Sequence, residues 1–144
     1  MRYISLLLLC CTILSCENQS TPPISDSSID NPFTVRIGEG VTIDRANTQV
    51  RFSKLISDGR CAADVICVWE GRADIQLSFL QAGKDTSTIP LSIRGYVTIA
   101  DTKAHQTKDT LGYLFTLMQL DPYPRSDVRI NPNAYTATIS VVKK

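Results

Sequence analysis

After its first fifteen residues this chain has no long apolar run, no convincing amphipathic helix and no internal repeat. A chain without such helices has to build its core from strands. Thr, Ile and Val recur in short runs with period-two alternation, which points to an all-β domain. Histidine is nearly absent, with His105 alone among 144 residues. That leaves little for a metal centre built on imidazoles or for a serine–histidine–carboxylate group. Excess charge is missing too, since 15 basic residues meet 14 acidic ones. No basic stripe stands out, so phosphate neutralisation does not point to a nucleic-acid partner.

Cysteine is sparse and uneven. Cys10, Cys11 and Cys16 fall in or at the end of an apolar N-terminal segment, and only Cys61 and Cys67 follow. An even pair in an exported domain is expected as a disulfide. Two free thiols, or half of a metal site, remain the alternatives. Five residues separate the pair, and closing so small a ring stabilises the fold by about 2 kcal/mol in the chain-entropy account. The larger consequence is geometric, because the ring fixes how one strand turns into the next.

The N-terminal segment reads as a leader. Arg2 supplies a positive charge, and Ile4 to Leu14 is an apolar run broken by Ser5 and Thr12. Such a run suits a signal segment and is too short to span a bilayer. Ile13-Leu14-Ser15-Cys16 resembles the lipobox of bacterial lipoproteins. That resemblance implies cleavage before Cys16, leaving 129 of the 144 residues. It also implies a diacylglycerol thioether on Cys16 and an amide-linked acyl chain on its amine. Several acyl chains hold a protein on a bilayer far more firmly than one. Residues 16–32 are rich in Ser, Pro, Asn and Asp, the composition of a flexible tether. Residues 33–144 form the expected single domain, long enough to bury a core.

Within the domain, strands are expected at 33–37, 41–43, 50–55, 68–81, 89–93, 95–99, 113–120 and 135–142. The apolar phase shifts between Phe52 and Leu55, which predicts a bulge near Ser53 or Lys54. Ala82-Gly83-Lys84-Asp85 reads as a hairpin turn, and Pro90 assigns its strand to a sheet edge. Residues 113–120 are apolar on both faces and read as a central strand. Residues 100–110 are polar and are expected to loop. Seven or eight short strands predict an antiparallel sandwich, Ig-like or a partly open barrel.

Chemistry concentrates between Asp58 and Asp74. Trp69 is the single tryptophan, and the reading favours its burial against the disulfide, as in other β-sandwiches. Exposed, it becomes a binding anchor. Arg60 is expected to pair with Asp58, Asp64 or Glu70. Tyr123, between Pro122 and Pro124, either presents its ring to a partner or belongs to a rigid connector. Val65 or Ile66 is expected to cap the end of the sandwich, and Gly71 marks a bulge or a close backbone approach. Asp64, Glu70 and Asp74 could ligate calcium, though their spacing matches no calcium loop, so solvated charges are the plainer reading. Neither a catalytic group, a metal nor a cofactor is expected.

Asp58-Gly59-Arg60-Cys61 and Cys67-Val68-Trp69-Glu70-Gly71 form an Arg-Cys…Cys-x-Trp-x-Gly pattern, followed by Pro122-Tyr123-Pro124 and a closing strand begun by Tyr135. Together they resemble a family of uncharacterised bacterial lipoproteins and secreted proteins. Ala62 stands where that family often has proline, which would stiffen the ring. The resemblance implies an exported β-rich domain and carries no activity with it. The expected protein is therefore a lipid-anchored, non-enzymatic binding or structural module of a Gram-negative-type envelope. It would sit on the outer or inner membrane, facing the periplasm or the surface, with a protein or glycan partner. An exported inhibitor or folding accessory is the second reading, marked by exposed apolar loop tips at one end of the sandwich. A hydrolase without a recognisable motif is the third.

Overall fold

A computed structural model describes residues 31–144 apart from 45, 102 and 103. The leader, Cys16 and most of the tether lie outside the described residues. Among the described residues eight strands follow in order: β1 (Phe33–Arg36), β2 (Gly40–Thr42), β3 (Thr48–Asp58), β4 (Arg72–Gln81), β5 (Lys84–Arg94), β6 (Thr107–Thr110), β7 (Tyr113–Asp121) and β8 (Thr136–Lys143). They form two antiparallel four-stranded sheets, β1-β8-β7-β6 and β2-β3-β4-β5. The fold is a β-sandwich, not a closed barrel.

Alternation decides which side chains meet between the sheets. From β4, Ala73, Ile75, Leu77 and Phe79 point inward, and Ile89, Leu91 and Ile93 extend that face from β5. The other sheet answers with Tyr113, Phe115, Leu117 and Leu120 from β7 and Ala137, Ile139 and Val141 from β8. Phe79, Tyr113 and Phe115 interlock with ring centroids 5.9 to 6.4 Å apart. Burying each such ring stabilises the fold by about 1.5–3 kcal/mol.

Two irregularities keep the apolar phase turned inward. In β3 the register slips between Phe52 and Lys54, where the sequence pattern predicts a bulge. In β7 Met118 is the extra residue, since Leu117 pairs with Ile139 and Gln119 with Thr138. Without that bulge Leu120 would face outward; with it, Leu120 is fully buried.

The turns follow local chemistry. Ala82 and Gly83 both take positive φ, 51° and 76°, and close a two-residue hairpin between β4 and β5. Pro90 lies in β5, an edge strand, where its missing N–H leaves no ladder bond unmade. The strand β7 is central, as expected, flanked by β6 and β8.

Three expectations need correction. β4 begins at Arg72, so 68–71 belong to the preceding loop. Residues 95–99 form turns instead of a strand. Asp101 Oδ2 accepts hydrogen bonds from both Thr98 N and Thr98 Oγ1 at 2.8 Å, and Tyr96 takes a left-handed φ of 61°. This local bonding competes with a ladder. Conversely, the polar run 107–110 is strand β6, an exposed edge paired to Tyr113–Thr116 of β7. Its lack of apolar residues hid it, because one neighbour in a sheet is enough to define an edge strand.

Candidate functional site

The loop between β3 and β4 is tied at its base by backbone bonds. Gly59 N donates to Arg72 O and Cys61 N to Glu70 O, each at 2.9 Å, while Gly95 N donates to Gly71 O at 3.0 Å. Gly71 is needed here. It takes φ +67°, and a Cβ at that position would lie 2.0 Å from Gly59 O. Cys61 and Cys67 form a disulfide, with Cα atoms 6.0 Å apart, within the usual span. One flank of the ring is docked on the β7–β8 connection. Ala63 N donates to Pro124 O at 2.9 Å, and Asp64 accepts hydrogen bonds from both Ser126 N and Ser126 Oγ.

The other flank of the loop is open to solvent. Trp69 is 68% exposed, Ile66 102% and Val68 103%, with Val65 also exposed. Burial of Trp69 against the disulfide is therefore overturned, and neither Val65 nor Ile66 caps the sandwich end. At the base of this loop the buried side chain is Arg60, not Trp69.

Arg60 is buried with Asp58 in a two-pronged pair. Nε donates to Asp58 Oδ1 at 2.9 Å and Nη2 to Oδ2 at 2.7 Å. Its remaining bonds cross to the other sheet, from Nη1 to Leu120 O at 2.7 Å and from Nη2 to Pro122 O at 3.2 Å. The guanidinium lies 4.6 Å from the centre of the Tyr123 ring. Tyr135 Oη donates to Asp58 Oδ2 at 3.1 Å. Burial pushes the Asp58 carboxyl up. The hydrogen bonds and charge of Arg60, with the Tyr135 hydroxyl, outweigh that and hold it below its ordinary value. Burial, the Asp58 charge and the same hydrogen bond push Tyr135 up to about 12.

Of the partners open to Arg60, the structure selects Asp58. Asp64 goes to Ser126, Glu70 to Arg94 at 3.4 Å, and Asp74 to Arg72, Ser57 and Ser92. The three carboxylates considered for calcium are thus engaged with separate partners. His105 turns its two ring nitrogens to Leu117 O at 3.1 Å and Thr98 O at 2.9 Å. Both nitrogens face carbonyl oxygens, so neither sits against a hydroxyl it could deprotonate.

Beside the clasp opens a cavity of about 400 Å³, lined chiefly by Tyr96, Val97, Gln119, Leu120, Asp121 and Tyr123. Tyr123 Oη accepts from Tyr96 N at 3.1 Å at its rim. A second cleft of about 320 Å³ shares Tyr96 and Val97 and is bordered by Glu70, Arg94 and Asp101. The sequence singles out Tyr123 and Arg60 here but not Tyr96, Gln119 or Asp121. Gln119 and Asp121 share the end of β7, whereas Tyr96 lies in the turns after β5, and no local pattern places the two stretches at one cavity.

Compared with family models, curated proteins and solved structures, the chain matches none of them.

Proposed function

We propose that this is a non-enzymatic, lipid-anchored envelope module that docks on another envelope protein through its disulfide loop. One observation carries the reading: Ile66, Val68 and Trp69 stand fully or largely in solvent on a loop held by a covalent ring. Leaving three large apolar side chains in water gains nothing for the fold. Held in place beforehand, such side chains lose little freedom on binding and make effective anchors. Ile66 and Val68 are branched aliphatics, suited to an apolar cleft in a protein. A glycan is held instead by flat aromatic faces flanked by polar groups.

The exported-inhibitor reading draws on the same exposed tip, and would be distinguished by loss of the partner's activity on binding.

Site-specific photocrosslinking in intact cells tests the proposal. A crosslinker at Val68 is expected to give one discrete protein adduct. The same label at Lys84, in the hairpin at the opposite pole, is expected to give none. Adducts to lipid, equal labelling from both positions, or no adduct at Val68 would overturn it.

A further inference from the structure

The cavity beside the clasp has a chemical character of its own, independent of the loop's docking role. Its walls are largely apolar, from Val97, Leu120 and the rings of Tyr96 and Tyr123. The positive charge at its floor, on Arg60, is matched by Asp58 in a two-pronged contact. Asp121 has no such match. Among the described residues no basic side chain forms an ion pair with it, and its one hydrogen-bond donor is the Gln119 side-chain amide, on Oδ2. The adjoining cleft repeats the pattern. There Arg94 pairs with Glu70, while Asp101 forms no ion pair among the described residues.

Among the described residues the charge left over at the site is therefore negative, and the hollow that Asp121 lines is largely apolar and aromatic-walled. We propose that this cavity binds an alkylammonium or alkylguanidinium group, its cationic head on Asp121 and its stem against Tyr96 and Val97. The carboxylate supplies a charge-assisted acceptor. The exposed Tyr96 ring adds a face that attracts cations, and the apolar wall covers the methylenes. An anionic ligand would meet Asp121, and among the described residues lining the cavity the one cation, Arg60, is already matched by Asp58. A neutral ligand would leave the carboxylate partly desolvated without compensation. The group could be a lysine or arginine side chain of a docked protein, or a free aliphatic amine.

Amide chemical-shift titration of the purified protein decides this. The probes are n-butylammonium, n-butylguanidinium, n-butyrate and n-butanol at matched concentrations. The two cations are expected to give saturable shifts at Tyr96, Val97, Gln119 and Asp121, and butyrate and butanol none there. Asp121→Asn should weaken the cations by about tenfold or more, the scale of a lost charge-assisted bond. Tyr96→Asn keeps a residue that tolerates the left-handed backbone and removes the ring, and it should weaken them several-fold. If Asp121→Asn disturbs the strand end, the comparison of probe charges and the Tyr96 variant still decide. Comparing N-acetyl-lysine methylamide with butylammonium separates the sources: clearly tighter binding of the former assigns the site to a peptide-borne side chain, and equal binding to a free amine. Equal shifts from butyrate or butanol, shifts elsewhere on the domain, or an unchanged affinity in Asp121→Asn would overturn the proposal.

Discussion

The Arg60 guanidinium grips the Asp58 carboxylate through two hydrogen bonds while two of its N–H groups reach the carbonyl of Leu120 in the opposite sheet and that of Pro122 just beyond its strand. A pair two residues apart, one at the end of β3 and one in the loop after it, thus pins the two layers together. Both side chains are almost wholly withdrawn from solvent.

Removing one member leaves the other charged and buried. Arg60→Ala is expected to destabilise the domain by about 3–5 kcal/mol. Arg60→Lys should fall between, since an ammonium cannot reproduce the fork. Urea denaturation curves measure both. An Arg60→Ala loss below about 1 kcal/mol, the level of an exposed pair, would refute the clasp.

The same network sets a pH window with two edges. The Asp58 carboxyl is held below its ordinary 3.8. Its stabilisation is present above the unfolded value and is lost as the pH falls through the folded one, in acid below about pH 4. The Tyr135 phenol is raised to about 12. Its contribution is present below an unfolded value of about 10 and is lost as the pH rises through about 12. Melting curves across pH should show both declines, and Tyr135→Phe should flatten the alkaline one. Tyr113, raised by burial and by Asp44, leaves a residual alkaline slope.

Glycine at 71 is demanded twice over. Gly71→Ala meets both a left-handed φ of +67° and the Gly59 carbonyl oxygen. Gly83→Ala meets only a left-handed φ of +76° with open space around it. The second should cost about 1–2 kcal/mol. The first should exceed that clearly, because the backbone of the loop base must move. Thermal melting of the two variants tests the order.

Trp69 in water has a spectroscopic signature. Its fluorescence should be red-shifted and quenched by acrylamide almost as readily as free tryptophan. Reduction of the Cys61–Cys67 bond should lower stability by about 2 kcal/mol with little change in emission. A blue-shifted, protected Trp69 would contradict the exposed tip.

Polar replacements on that tip should be nearly silent for folding. Ile66→Ser and Val68→Ser are expected to change stability by no more than about 0.5 kcal/mol. Both should nonetheless weaken capture of the crosslinked partner. A large stability loss would show that the tip packs where the structure leaves it open.

Much of the sandwich was readable from alternation. Ile75, Leu77 and Phe79 announced a one-sided strand, and Pro90 announced its edge position. The bulge after Phe52 followed from a phase shift that only an extra residue repairs. β6 was not readable, because a short polar edge strand carries no pattern of its own. Nor were the turns at 95–99, whose apolar Val97 and Ile99 mimic a strand until Thr98 and Asp101 bond locally.

By itself the sequence determined seven of the eight strands, the expected bridge between Cys61 and Cys67, and a carboxylate partner for Arg60 within a few residues. These depend on side-chain period, cysteine count and neighbours a few residues apart. Only the tertiary structure decided that Trp69 points outward and that Asp121, with no ion-pair partner among the described residues, lines a hollow with Tyr96. Both depend on which distant stretches of chain meet at one end of the sandwich. Arg60 and Tyr123 are brought together across 63 positions of chain, a separation no local pattern records.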